Sequence, residues 1–314
     1  MRGGIRLRAA QAGLGLYRAQ SAMAMRAFDL LLCPSAPGEA PAIPGRDQPR
    51  PPAVGARVVL DPSMPCGSCY PCGRGRYNCC ENMRVLGVHA PGAFADHYAA
   101  PVGCLHVIAE DVSADAAVMV EPLSIGLQAT NRAQVAAGET VLIIGAGTIG
   151  LSVLLVCVAR GGRVAISDLS AGRLALAREL GAEAIVNAGE QDVAEELARW
   201  CGPSGPAVVI EAVGRPATAR QALELVAASG RVVMLGLCND EICIPGALMV
   251  RKELDFRGSR LHGGTIPRAV ALVESGRATP ERLVTHHMAL EDVAEAFELM
   301  IAQPDTTLKV ILTP

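Results

Sequence analysis

From Thr140 onward, hydrophobic and polar positions alternate in a regular pattern. Apolar runs at Val141–Ile144, Val164–Ser167, Ala184–Val186, Val208–Glu211, Val232–Leu235 and Asp255–Gly258 predict strands. The stretches between them, Ile149–Arg160, Ala171–Leu180, Val193–Trp200 and Ala217–Ala228, predict helices. Apolar strands alternating with helices indicate an α/β fold with a doubly wound parallel sheet, covered on both faces. Before this region the pattern is different. Short β runs are predicted at Gly55–Leu60, Gly92–Ala99 and Cys104–Ile108, and a helix at Asp115–Thr130 with Glu121-Pro122 inside it. After it come helices at Pro267–Ser275 and Leu290–Ile301 and a closing strand at Leu308–Leu312. Residues Met1–Pro52 give only a short helix around Tyr17–Leu32, and no repeat of 20 to 50 residues runs through the chain.

Length and composition narrow the class. The 314 residues suit about two domains. The chain is 51% hydrophobic, yet its most apolar helical stretch, Ile149–Ala159, is far short of the roughly 20 residues a spanning helix needs. A net charge of −3 and 3% aromatic residues argue against nucleic acid, and no membrane partner is expected. Five of the eleven cysteines crowd into Cys66–Cys80 while the others are scattered, which points to a reducing, cytoplasmic compartment and a local metal site. The first 30 residues carry five arginines and no acid before Asp29, a bias shared with transit peptides. The Pro-rich stretch that follows does not read as the start of a mature domain. Residues 1–54 are therefore expected to be atypical and poorly ordered.

The segment VLIIGAGTIGLSVLLVCVARGGRVAISD, Val141–Asp168, carries the first candidate chemistry. Gly145, Gly147 and Gly150 have the G-x-G-x-x-G spacing between a strand and a helix, and Asp168 closes the next strand. Gly145 would permit the turn, Gly147 the approach of a pyrophosphate, and Gly150 close helix–strand packing, with the first helical amides of Thr148 and Ile149 facing the phosphates. Asp168 would hold ribose hydroxyls and repel a 2′-phosphate, which favours NAD over NADP. Arg173 is a candidate contact on the adenine side.

Cys66, Cys69, Cys72 and Cys80 are spaced C-x2-C-x2-C-x7-C among Gly67, Pro71, Gly73 and Gly75. Four thiolates on one short loop can close a tetrahedron around zinc and leave no open position, so this zinc would be structural. Cys79, beside Cys80, competes as fourth ligand; Cys80 is favoured.

Together and in this order, the two motifs resemble the zinc-containing medium-chain alcohol dehydrogenases, in particular the polyol and sugar-acid branch that includes sorbitol, L-idonate and L-galactonate dehydrogenase. The matching text includes GARVVLDPSMPCGSCYPCGRGRYNCCENM, VMVEPLSIGLQAT, VVIEAVG, GRVVMLGL, FRGSRLHGG and KVILTP. The resemblance implies a partial GroES-like β-rich domain at 55–123, an NAD-binding Rossmann domain at 124–258, and a return to the first domain at 259–314. It also implies that Val213, Gly214, Leu235, Gly236 and Arg260 lie near the nicotinamide, and that relatives form dimers or tetramers, with Val232–Ile244 as a candidate edge.

The resemblance further implies hydride transfer from a secondary alcohol of a polyol or sugar acid, helped by a second, catalytic zinc. The family draws that zinc's ligands from a Gly-x-Cys-Gly-Ser-Asp segment, a Gly-His-Glu segment and an acid near Glu-Pro. Only the last is present, as Glu121. Residues 1–54 contain no histidine, and Cys33 lacks the glycine turn and the Ser-Asp that should surround such a ligand. His89, His97 and His106 read as structural, and His262, His286 and His287 as unlikely substitutes. A genetic change near Pro52–Val54 would account for the missing segments. The readings in play are an NAD-dependent dehydrogenase, an NAD-binding relative without alcohol chemistry, and a damaged product with no function of its own.

Overall fold

The computed structural model describes Pro52, Ala53 and Gly55–Pro314; the expected helix at Tyr17–Leu32, the expected disorder of the first residues and Cys33 lie outside the described residues. The centre of the fold is a six-stranded parallel sheet in the order β10-β9-β8-β5-β6-β7. Its strands are β5 Thr140–Ile144, β6 Arg163–Asp168, β7 Ala184–Asn187, β8 Val208–Glu211, β9 Arg231–Met234 and β10 Asp255–Gly258. Strands β5, β6 and β8 are almost wholly buried because helices cover both faces, which is why they read as unbroken apolar runs.

Those helices are α4 Thr148–Ala159, α5 Ala171–Glu179, α6 Val193–Cys201 and α7 Pro216–Leu225. They follow α1 Tyr70–Gly73, α2 Ala114–Val118 and α3 Val120–Ala133, and precede α8 Gly246–Lys252, α9 Ile266–Glu274 and α10 Val293–Ala302. Polar caps start several of them where the sequence supplies a short oxygen-bearing side chain. Asp192 accepts from Glu195 N–H (3.0 Å) and Ser113 from Ala116 N–H (3.1 Å). Helix α4 has no polar face. It lies between the sheet and α3, so nearly every side chain from Thr148 to Cys157 is buried.

The chain order runs outward from β5 to β6 and β7, then returns to place β8 on the other side of β5. The C-terminal ends of β5 and β8 therefore form the crevice where open α/β sheets bind ligands. The residues before and after this sheet form small pieces. Strands β1 Val58–Leu60 and β4 Leu105–Val107 pair antiparallel, as do β2 Ser63–Met64 and β3 Arg84–Val85. Strand β11 His286–Ala289 lies parallel to β12 Val310–Thr313, which closes the chain.

Four expectations change. Gly92–Ala99 is irregular: Tyr98 Oη turns back to donate to Pro91 O (2.7 Å), and no strand pairs with it among the described residues. The helix expected at Asp115–Thr130 breaks at Met119 into α2 and α3. Leu290–Asp292 is a 3-10 turn leading into α10. Val232–Met234 is not at the sheet's rim, because β9 is paired on both sides; the rim strands are β10, with Phe256 exposed, and β7.

Candidate cofactor cleft, cysteine cluster and buried polar centre

At the end of β5, Gly145 adopts φ +102° and donates its N–H to Ser167 O (2.7 Å). A Cβ on Gly145 would lie 2.8 Å from a Val213 methyl carbon. One on Gly150 would meet Gly145 O at 1.9 Å, so α4 starts against the turn more closely than any side chain allows. Gly147, the N-cap of α4, has ordinary φ (−71°), and a Cβ there would meet nothing within 4 Å. The space it leaves open faces the unpaired first amides of α4, the arrangement that receives phosphate.

Asp168 stands across this turn. Its Oδ2 accepts from Ala146 N–H (2.6 Å) and its Oδ1 from Ser170 N–H (2.9 Å). The carboxylate thus pins the glycine turn to the end of β6, and each oxygen keeps lone-pair capacity for a further donor. The side chains of Thr148 and Arg173 are both tied to the C-terminal segment. Thr148 Oγ1 donates to Leu308 O (2.8 Å), which leaves only its backbone for the cleft. The Arg173 guanidinium donates to Pro304 O and ties α5 to the C-terminal segment.

The opposite wall is built around Glu211, which is fully buried at the end of β8. Its Oε1 accepts from Val213 N–H (2.9 Å), Gly214 N–H (2.8 Å) and Thr218 Oγ1 (2.7 Å). A Cβ on Gly236 would come within 2.1 Å of Gly214 N, so the loops after β8 and β9 touch. The structure therefore brings Gly145, Val213, Gly214 and Gly236 to one crevice, with Leu235 half-buried behind it. Arg260 is exposed on the segment after β10, where Asn78 Nδ2 donates to its carbonyl (2.8 Å). Sequence spacing did not single out Glu211; an acid ending an otherwise apolar strand was the available signal.

Cys66, Cys69, Cys72 and Cys80 place their sulfurs within 4.8 Å of one another, with Cys69 and Cys80 3.8 Å apart. Tetrahedral zinc with Zn–S bonds of about 2.3 Å requires sulfurs about 3.8 Å apart, so the set fits the metal. Cys79 is outside the cluster. Backbone and hydroxyl donors of Ser68 hold the Cys66 thiol down to about 5, while burial pushes Cys72 up to about 12 and raises Cys80.

Glu121, at the start of α3, is half-buried, and burial pushes its carboxyl above the usual range. Any charge on His262, and that on Lys309, oppose the rise, while Asp61 adds to it. Lys309 is completely buried, and burial holds its amine down to about 8. His262 Nδ1 accepts from Gly264 N–H (3.1 Å), so Nε2 carries the ring proton; it lies 2.9 Å from both Asp61 Oδ1 and Ser63 Oγ. Among the described residues, no group of three or more His, Cys, Asp or Glu side chains disposed to hold a metal includes Glu121. The described residues alone do not supply the three protein ligands that a catalytic zinc takes.

The other histidines are placed as structural or surface groups. His89 Nδ1 accepts from Val85 N–H (3.1 Å), His287 pairs with Asp115 (2.9 Å), His286 Nδ1 lies 2.9 Å from Thr285 Oγ1, and His97 is exposed. His106 Nε2 lies 4.0 Å from Asp61 Oδ2. Asp61, His262 and Lys309 come from three distant segments, and their meeting was not readable from any local pattern.

The description "Zinc-binding dehydrogenase" matches residues 148–275, and "Alcohol dehydrogenase GroES-like domain" matches residues 40–110. Sorbitol dehydrogenase of Bacillus subtilis is 31% identical over 83% of this chain and 75% of its own. Starvation-sensing protein RspB of Escherichia coli is 33% identical over 83% of this chain and 77% of its own. The chain belongs to the zinc-binding dehydrogenases. Among solved structures, the alcohol dehydrogenase RspB from E. coli CFT073, complexed with NADH, superposes on this family member with a TM-score of 0.80. That match is 33% identical and covers 83% of this chain and 77% of the other. The parallel sheet and GroES-like portion expected of a zinc-binding dehydrogenase are thus both found, although the GroES-like match begins at residue 40, before the point where the sequence resemblance was placed.

Proposed function

We propose that this zinc-binding dehydrogenase family member is an NAD-dependent oxidoreductase acting on a secondary alcohol of a polyol or sugar acid, with zinc held by Cys66, Cys69, Cys72 and Cys80. One observation supports the cofactor most directly. Asp168 is fixed against the glycine turn while Gly147 leaves the space in front of α4 open. Bound there, the dinucleotide supplies the acceptor for a hydride from the carbinol carbon. Gly145, Gly147 and Gly150, with the amides of Thr148 and Ile149, would seat the pyrophosphate, and Asp168 the adenosine ribose. Val213, Gly214, Leu235, Gly236 and Arg260 would border the nicotinamide. Arg173 reaches the adenine side only by releasing Pro304.

A second reading is favoured by one observation. Among the described residues, no group of three His, Cys, Asp or Glu side chains able to share a metal includes Glu121. This reading is an NAD-binding relative that does not oxidise alcohols. Zinc content per chain, together with NAD reduction across polyols and sugar acids, separates the two. Turnover with two zincs supports a complete dehydrogenase. One zinc, NADH binding and no turnover supports the second reading.

Residues 55–123, 124–258 and 259–314 serve as the GroES-like part, the nucleotide domain and the return segment. A homodimer or homotetramer in a reducing compartment such as the cytoplasm completes the proposal. No helix among the described residues is long and apolar enough to cross a membrane.

A further inference from the structure

The seven residues Ser259–Thr265 join β10 to α9 and carry hydrogen bonds to the cysteine loop, to Asp61 and Ser63, and to α3. Ser259 N–H donates to Met234 O (2.9 Å), the last tie to the sheet. Beyond it the segment crosses to the cysteine loop. Asn78, buried in the turn between Cys72 and Cys80, donates to Arg260 O (2.8 Å). Leu261 packs against the cysteine cluster, with Tyr77 and Val85 beside it. A Cβ on Gly264 would lie 1.4 Å from Tyr77 Oη, so the tyrosine hydroxyl rests directly on that backbone.

Leu261 achieves this in the left-handed region, at φ +48°. A branched aliphatic residue adopts that conformation only where its surroundings over-determine it. His262, next in sequence, supplies the second anchor: its ring is buried and fixed on both nitrogens, by Asp61 and Ser63 on one side and Gly264 N–H on the other. Thr265 Oγ1 donates to Ser124 O (2.6 Å), and Ser124 Oγ donates to Glu121 O (2.6 Å). One short segment therefore connects the cysteine loop, the β1–β2 turn and the helix that carries Glu121.

Resting on the NAD reading above, we propose that Ser259–Thr265 is a latch through which the zinc-loaded cysteine loop sets the Arg260 wall of the cofactor cleft. Leu261 and His262 are its positioning residues. Zinc holds four cysteines in one geometry, and that geometry is the surface on which Leu261 sits. Without the metal, the buried thiols no longer share a fixed centre, Leu261 loses its seat, and its left-handed backbone is free to relax. Arg260, one residue upstream, then moves with it. The loop's metal thus acts on cofactor affinity as well as on folding.

The test uses the full chain and reads NADH affinity by fluorescence, zinc content, and amide hydrogen exchange. Removing zinc from the wild type is expected to weaken NADH binding about tenfold, the scale of one well-placed contact. Amide exchange should rise in 259–265 while β5 and β6 stay protected. Leu261→Gly, which tolerates φ +48° without strain, and His262→Ala should retain zinc yet bind NADH about tenfold more weakly. If zinc removal unfolds the chain, these two zinc-loaded variants decide the matter. The latch is overturned if they bind NADH as the wild type does, or if folded, zinc-free protein keeps full affinity. NADH binding without zinc dependence removes the latch alone; a zinc-loaded wild type that binds no NADH removes the cofactor reading with it.

Discussion

Gly147 and Gly150 sit three residues apart on one turn and are required for opposite reasons. At Gly150 a methyl group would overlap backbone oxygen, whereas at Gly147 it would enter empty space. Gly150→Ala is expected to cost about 3 kcal/mol or more in urea unfolding. Gly147→Ala should leave stability within about 1 kcal/mol, yet weaken NADH binding, because the open space it fills is the one proposed for the pyrophosphate. Lys309 gives a prediction of opposite character. With the folded amine held near 8 and an unfolded lysine near 10.5, the unfolded chain binds more protons between those values, and stability rises with pH across that window. Comparing wild type with Lys309→Met by denaturation from pH 8 to 10.5 should show the wild type gaining relative stability, on the order of 3 kcal/mol. A flat difference would mean that the lysine stays charged in the fold. The glycines were legible in the sequence, because their spacing is local. Lys309, His262 and Asp61 were not: each looks ordinary in its own segment, and only the topology makes them neighbours.

At the scale of elements, the parallel sheet was readable because burial on both faces demands unbroken apolar strands. Strands β5, β8 and β10 fall within a residue of their expected limits. The small strands of the first part were less readable. The apolar–polar alternation at Gly92–Ala99 suggested a strand, but a strand needs a partner, and the segment closes on itself through Tyr98. Of the candidate subunit edge Val232–Ile244, only Val232–Met234 lies in a strand, β9, which sheet order places inside the sheet while β10 stands at one rim. That outer strand, β10, exposes Phe256 beside unpaired backbone, an open template for a second strand. Phe256→Lys is expected to shift the protein toward monomer in size-exclusion chromatography with light scattering, with little loss of unfolding free energy. A wild type that elutes as a monomer would place the subunit contact elsewhere or remove it.

At the scale of the molecule, the nucleotide sheet is bracketed by pieces from both sides of it in sequence. Segment 259–265 binds it to the cysteine loop, and the C-terminal stretch binds it to the cofactor turn. Thr148, the first residue of α4, donates to Leu308 O, and Arg173 of α5 holds Pro304 O. These ties join residues 160 and 131 positions apart. A chain leaves the ribosome from its N-terminus, at roughly 5–20 residues per second, so the glycine turn emerges well before its partner at Leu308. For that interval of about ten seconds or more, the turn lacks the contact that fixes the start of α4. The nascent nucleotide domain should therefore be a client of chaperones, or of early cofactor, until Pro304 and Leu308 arrive.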